Sequence, residues 1–296
     1  MTPFLAGCLQ VLLSAAAFGA MAIFAKLAYQ SGLNAPQLLF WRFAIAALAL
    51  APLILWRRLP WPSWRTTLGL AAMGGAGYAA ASLCYFAALN YAAAGTVALL
   101  LYLYPALVIL LARVLHGEAL TRRRLSTLAL ALTGLAVTVG LDLTGHPLGF
   151  VLGVAAALCY AGYIVAGGRL SGASHPLVGA FIVIAAAALS NTAVVATQGF
   201  KVPDTPAAWS AVLMLALVST VAAIVAFLAG LSKIGATRAS LLSTVEPLVT
   251  LLLAAAVLGE PLTAAQFVGG ALILSAVALI ARESEPRRAL LADLRD

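Results

Sequence analysis

Long stretches without charged residues recur along the whole chain, and each is apolar on every side. A run of about 20 such residues crosses a hydrocarbon core of about 30 Å as an α-helix. Transmembrane strands would need short segments of alternating polarity, whereas runs such as 125–141 and 245–258 do not alternate. The pattern therefore predicts an all-α integral membrane protein.

Charges and turn residues divide the apolar stretches into ten predicted transmembrane helices, in two sets of five. The first set is 4–29, 36–56, 66–90, 93–115 and 125–141. The second set is 148–167, 176–197, 209–231, 236–258 and 262–280. The connections are too short to form a soluble catalytic domain. The first stretch lacks the basic start of a signal peptide, so we expect a retained span.

The composition excludes a soluble fold. Hydrophobic residues make up 64% of the chain and charged residues 9%, against about 45–50% and about 25% in soluble domains. Three cysteines, Cys8, Cys84 and Cys159, lie in apolar stretches without paired spacing, so we expect inert thiols. The sequence predicts no metal site and no cofactor.

Lysine and arginine predict the orientation, because short cytoplasmic connections carry them in excess. A cytoplasmic N-terminus places most of them inside: Arg57, Arg58, Arg65, Arg122, Arg123, Arg124, Arg169, Lys233, Arg238, Arg282, Arg287, Arg288 and Arg295. Only Lys26, Arg42 and Lys201 then fall beyond the membrane midplane. We therefore expect both termini in the cytoplasm. Topology and anionic lipid headgroups account for the net charge of +8, so nucleic acid is not an expected partner.

An internal repeat links the two sets of helices at one constant offset, which pairs Pro105 with Pro247 and Glu118 with Glu260. Segments 94–121 and 236–263 carry identical residues at many of the paired positions. The repeat unit contains five predicted helices, and an odd number of crossings forces the second copy to insert upside down. The sequence thus predicts two inverted repeats, 1–142 and 143–282, followed by a cytoplasmic tail, 283–296.

The segments LYLYPALVILLARVLHGEALT and STVEPLVTLLLAAAVLGEPLT resemble the two hallmark segments of the drug/metabolite transporter superfamily, in its ten-helix branch of two EamA-type domains. Within that branch the chain is similar to bacterial inner-membrane exporters of amino acids, including aromatic amino acids. The resemblance implies a central cavity lined mainly by helices 1, 3, 4, 6, 8 and 9, with helices 5 and 10 set apart. It also leads us to expect a protein that functions as a monomer in the bacterial inner membrane.

Two equivalent prolines, Pro105 and Pro247, lie inside predicted helices. Proline removes a backbone hydrogen bond, which would free the carbonyls of Leu101 and Ser243. Helices interrupted at corresponding positions in two halves point to a transporter's midplane site. We interpret both prolines as hinges, the alternative being bends that serve packing alone.

Two charged residues fall inside predicted helices. Glu246 lies halfway along its helix, where it either stabilises the helix or gate, contacts an ammonium group of the cargo, or exchanges a proton. Arg42 lies about two turns from the outer helix end. It either snorkels outward, pairs with Glu246 or attracts a substrate carboxylate. Lys26 is closer to the outer end, which favours snorkelling.

Tyrosine and hydroxyl residues complete the predicted binding site. Tyrosines recur on one face of two helices and on both sides of the Pro105 bend, whereas hydroxyl groups lie beside Pro247. The predicted substrate-binding residues are Tyr78, Tyr85, Tyr102, Tyr104, Tyr160, Tyr163, Ser243, Thr244 and Glu246. An apolar pocket with few polar groups suits neutral amino acids. A lipid-facing tyrosine belt is the alternative for the pairs outside the bend.

Three functional classes follow from these residues. The favoured class is an exporter of small metabolites, most of all neutral or aromatic amino acids. A second class is a carrier for another solute, such as a cationic drug, a purine or a nucleotide sugar. A third is an intramembrane enzyme, which is not expected because His116, His146 and His175 all lie in connections. Proton exchange and facilitated diffusion both remain open.

Overall fold

The structure is a computed structural model that describes residues 2–29, 32–88, 90–92, 94–140, 146–259 and 262–281. Ser31, Glu260, Arg282 and the predicted tail 283–296 lie outside these ranges, as does the side chain of Lys26. Within the described ranges the chain is helical with short connections. This confirms the all-α prediction for that part of the chain.

The helices follow the predicted order. They are α1 (Pro3–Tyr29), α2 (Ala35–Trp56), α3 (Trp64–Ala88), α4 (Thr96–His116), α5 (Arg122–Val139), α6 (Pro147–Ala173), α7 (Pro176–Thr197), α8 (Pro206–Ile234), α9 (Ala236–Val257) and α10 (Ala264–Ala281). Among the described residues, eight helices are long and apolar enough to cross a membrane. The remaining two, α5 and α10, are 18 residues each and pack against each other.

Histidines begin two of the helices. The side chain of His146 accepts a hydrogen bond from the Leu148 amide at 3.2 Å, and His175 caps α7 in the same way. Each is followed by proline. Proline suits the first helical turn because it lacks an amide hydrogen, and an amide hydrogen at that position would have no intrahelical acceptor. These two histidines therefore have a local structural role at helix ends.

Both α4 and α9 are interrupted before their prolines. The first half of α4 ends at Leu101 and its helix resumes as Tyr104–His116, whereas α9 contains a 3₁₀ turn, Ser243–Val245, before Glu246–Leu258. Each proline is thus an early residue of a new helix. The prediction of a free Ser243 carbonyl was wrong, because the amide of Glu246 donates to it in the 3₁₀ turn.

Two other helices contain π-helical segments. Met73–Ala79 interrupts α3, and Leu217–Ala222 interrupts α8. At the repeat offset, Tyr78 in the first segment corresponds to Thr220 in the second. Such segments occur frequently at functional sites. The two halves of the chain therefore share their helix irregularities as well as their sequence repeat.

Glycines allow helices to approach closely at Gly74, Gly75, Gly77, Gly149 and Gly153. A methyl group at Gly149 would lie 2.9 Å from the Cβ atom of Ala92, and one at Gly153 would lie 2.7 Å from Leu100. A methyl group at Gly74 would collide with the backbone of Val183 in α7. Small residues at these positions thus set the spacing between helices.

Polar contacts join the helix ends at the face that carries the N-terminus. Glu118 accepts hydrogen bonds from Thr237 at 3.0 Å and from Arg124 at 2.9 Å. Lys233 donates to Gln10 at 2.9 Å, which links α8 to α1. At the same end, α1 and α8 pack closely through Gly7 and Gly230. This end of the helix bundle is consequently closed.

Candidate functional site

A cavity of about 640 Å³ lies between the two halves of the chain. The residues on its wall are Phe18, Met21, Ala22, Arg42, Tyr78, Ala81, Ser82, Tyr85, Phe86, Ala98, Leu101, Tyr102, Tyr104, Thr138, Val139, Tyr160, Glu246, Pro247, Thr250, Leu251 and Gln266. They come from the second halves of α1, α3, α5 and α9, the first halves of α2, α4 and α10, and the middle of α6. The cavity therefore lies toward the face opposite the N-terminus and the arginine-rich connections.

Tyrosine rings form the inner part of this wall. The rings of Tyr104 and Tyr160 meet edge to face with centroids 4.8 Å apart, and those of Tyr102 and Tyr104 lie 5.9 Å apart. Tyr160 stacks in turn on Tyr163 at 5.7 Å. Edge-to-face and offset contacts of this kind fix the ring orientations. The result is a largely apolar surface whose rings are held in place by one another.

Arg42 reaches this surface from α2, and only 3% of the residue is exposed. Its Nε atom donates to Thr220 Oγ1 at 2.6 Å. One terminal nitrogen, Nη2, donates to Tyr78 Oη at 2.8 Å and to the Ser219 carbonyl at 3.0 Å. Snorkelling, one of the expectations for Arg42, was wrong. Local sequence showed its depth along α2 but not the direction in which the side chain points.

The other terminal nitrogen of Arg42 and the carboxylate of Glu246 lack protein partners within the described part of the chain. Both side chains lie on the cavity wall. They do not form an ion pair with each other, since the salt bridge found among the described residues joins Arg124 and Glu118. One cation and one carboxylate therefore face the same space without neutralising each other directly.

Each half of the chain matches the same family of known proteins. The model of the EamA-like transporter family matches residues 5–140 and again residues 147–282. The chain belongs to the EamA-like transporter family. The resemblance read from the two hallmark segments is thereby confirmed, and the protein is a multi-pass membrane transporter.

Relatives of this EamA protein carry little information about cargo. An uncharacterized transporter of Archaeoglobus fulgidus is 30% identical over 275 residues, covering 92% of this chain and 95% of its own. The uncharacterized transporter YcbK of Bacillus subtilis is 27% identical over 286 residues, covering 89% of each. A crystal structure described only as that of a protein superposes with a TM-score of 0.77 at 23% identity, covering 95% of this chain and 99% of that chain. The last match supports the fold alone.

The structure of the EamA protein brings together most of the predicted site. Arg42, Tyr78, Tyr85, Tyr102, Tyr104, Tyr160, Glu246 and Pro247 all line the cavity. Four other predicted residues do not line it. Pro105 and Tyr163 are buried behind the wall, and the hydroxyl groups of Ser243 and Thr244 donate to carbonyls of their own helix. Ser243 donates to the Ala239 carbonyl at 2.9 Å, and Thr244 donates to the Leu241 carbonyl at 2.7 Å.

Other wall residues were not predicted from the sequence. Helices α5 and α10 contribute Thr138 and Gln266, whereas α8 contributes no described wall residue. The wall thus differs from the lining implied by the family resemblance at these three helices, although α5 and α10 pack mainly against each other. Thr220 lies behind the wall and accepts a hydrogen bond from Arg42. The sequence could have indicated this residue, because the repeat offset pairs it with Tyr78. The other missed residues are apolar or small, and no sequence signal separates them from packing residues.

Among the described residues, no group of three or more His, Cys, Asp or Glu side chains is arranged to hold a metal ion. The cavity wall offers instead hydroxyl groups, one guanidinium and one carboxylate on an apolar surface. These groups are suited to reversible binding of a small organic molecule.

Proposed function

We propose that this EamA-type transporter exports small metabolites, most of all neutral and aromatic amino acids, by alternating access through the central cavity. The observation that carries the proposal is the cavity wall, in which tyrosine rings surround one guanidinium and one carboxylate. Ligand sites of about 300–1,000 Å³ are lined mostly by apolar groups, with a few polar groups that fix orientation. A cavity of about 640 Å³ is within this range.

The proposed architecture is ten transmembrane helices in two inverted five-helix repeats. The two family matches support a duplicated unit of five helices, and the odd number of crossings inverts the second copy. Helices α5 and α10 bring the proposed number of transmembrane helices from eight to ten. Each has 18 residues, a length of about 27 Å as an α-helix. We further propose a functional monomer surrounded by lipid, with a cavity whose described wall residues all belong to one chain.

The proposed location is the bacterial inner membrane, with both termini in the cytoplasm. Arg57, Arg58 and Arg169 lie at the closed end of the helix bundle, where an excess of positive charge marks the cytoplasmic side. With this orientation the cavity is directed toward the periplasm. The conformation described above then corresponds to the outward-facing state of the transport cycle.

Cysteine labelling tests this orientation. Single cysteines at Ser63 and Ser126, both at the closed end, should be shielded from an impermeant thiol reagent added to intact cells. A cysteine at Ser31, which lies outside the described residues, should react. The background lacks Cys8, Cys84 and Cys159. Labelling of Ser63→Cys from outside, in cells whose membrane is shown to be intact, would reverse the proposed orientation.

A competition assay tests the cargo. Neutral and aromatic amino acids should inhibit uptake of radiolabelled phenylalanine into reconstituted vesicles more strongly than aspartate or arginine, because an extra charge has no partner on the wall. Runs with and without a pH gradient separate proton exchange from facilitated diffusion. Transport of a purine, a cationic drug or a nucleotide sugar, with no effect of amino acids, would replace the proposed cargo.

A further inference from the structure

Hydrogen bonds to both halves of the chain fix the position of Arg42. Its hydrogen bonds to Tyr78, Thr220 and Ser219 use Nε and one terminal nitrogen, so the planar guanidinium cannot rotate freely. Tyr78 and Thr220 belong to the π-helical segments of α3 and α8. Arg42 lines the cavity, and its other terminal nitrogen has no protein partner among the described residues.

Arg42 has no anion within ion-pair distance in the described part of the chain. A guanidinium remains protonated even when buried, and burying it without a counter-ion is unfavourable. Its protein partners are two hydroxyl groups and one carbonyl, all of which are neutral. The remaining terminal nitrogen, Nη1, can donate to a carboxylate oxygen, and a hydrogen bond between two charged groups is roughly twice as strong as one between neutral groups. A carboxylate bound in the cavity would supply the anion that Arg42 lacks there.

The opposite charge is on the same wall. Glu246 begins the second half of α9, beside Pro247, and is the carboxylate among the described lining residues. Because its oxygens have no protein donor in the described part of the chain, they are available to an ammonium group. A cargo with a single charge would leave one of these two groups uncompensated. A zwitterion compensates both.

We propose that Arg42 is the carboxylate-binding residue and Glu246 the ammonium-binding residue, so that the cavity selects α-amino acids bound as zwitterions. This inference rests on the proposed function and adds a specific role for each charged residue. The tyrosine rings then contact the cargo side chain. Removing either charge on the cargo should weaken binding, because a buried polar group of the site loses its partner.

Three matched probes test these roles on the purified full-length protein at neutral pH. Phenylalanine carries both charges, phenethylamine carries only the ammonium group, and 3-phenylpropionate carries only the carboxylate. Ligand-induced thermal stabilisation in detergent measures binding, and inhibition of phenylalanine uptake in vesicles confirms it. The parent protein should bind phenylalanine roughly tenfold or more tightly than either partial analogue.

Two neutral variants should separate the charges. Arg42→Gln should abolish the preference for phenylalanine over phenethylamine and keep the preference over phenylpropionate. Glu246→Gln should do the reverse, since its amide retains hydrogen-bonding capacity without the charge. Arg113→Gln is the matched arginine control, because Arg113 is exposed at the closed end of α4 and absent from the cavity wall. It should leave all three affinities unchanged.

Loss of folding in Arg42→Gln does not prevent the test. Thr220→Val keeps the guanidinium but removes the hydroxyl that accepts from Nε, and it should weaken phenylalanine binding severalfold while affecting phenethylamine little. Unchanged preferences in folded Arg42→Gln, or in Thr220→Val and Glu246→Gln together, would overturn the charge assignment while amino acid transport still stands. If no amino acid binds the parent protein, the proposed function fails as well.

Discussion

Transport by the Pro247→Ala variant is expected to be roughly tenfold slower than that of the parent, equivalent to about 1.4 kcal/mol in the rate-limiting step. Alanine restores an amide hydrogen that can bind the Ser243 carbonyl, which in the parent accepts from Glu246 in a 3₁₀ turn. The helix then continues through Ser243–Val245. The proposed hinge of α9 is lost, and with it the position of Glu246 on the cavity wall.

Pro105→Ala should act in the same direction on α4, where Tyr104 and Pro105 begin the resumed half. Folded yield should remain at or above the parent level in both variants, because a hydrogen bond is gained and no packed atom is added. The measurements are yield in detergent and initial transport rate in vesicles, for each single variant and the double variant. Parent rates in both single variants would assign the prolines to packing, and the hinge interpretation would be abandoned.

Gly74→Ala is expected to abolish or strongly reduce folded yield. A methyl group at this position collides with the backbone of Val183, which cannot move without displacing α7. Overpacking of this kind costs about 1–3 kcal/mol in ordinary cores, and more where backbone atoms obstruct. The neighbouring contact of Gly77 is softer, since the added methyl group would lie 3.2 Å from the Cβ atom of Tyr163.

Gly162→Ala is the matched control, because a methyl group there meets no atom within 4 Å. Its yield and melting temperature should equal those of the parent. Both variants are compared by fluorescence-detected size exclusion and by thermal unfolding in the same detergent. A monodisperse Gly74→Ala protein with the parent melting temperature would show that α3 and α7 are less tightly packed than the structure indicates.

The helices were predictable because a membrane span needs a long apolar run, and such runs are visible without tertiary information. The interruptions of α4 and α9 were predictable for a similar reason, since Pro105 and Pro247 act through local backbone chemistry. The π-helical segments were not. Residues 73–79 and 217–222 contain no proline and no charged residue, so nothing local marks the extra residue in the turn.

The functional side chains show the same division between local and tertiary information. The sequence gives the positions of Glu246 and the tyrosines along their helices, but position along a helix does not determine which side of it faces a cavity. Thr244 was assigned to the site although its hydroxyl binds the Leu241 carbonyl, as serine and threonine hydroxyls in helices often do. Arg42 was ambiguous because its partners, Ser219 and Thr220, lie in the other half of the chain.

One asymmetry between the halves bears on the kinetics of the transport cycle. At the offset that pairs Pro105 with Pro247, Arg42 corresponds to Ile184, which is fully buried in α7. In the proposed cycle the two halves would exchange conformations, which would take the guanidinium away from the cargo and place an isoleucine there. The inward-facing state then holds the cargo carboxylate less tightly. The half-saturating cargo concentration should therefore differ between the two faces of the membrane. The final distribution of cargo across the membrane should not change if the carrier is passive, because its cycle returns to the starting state.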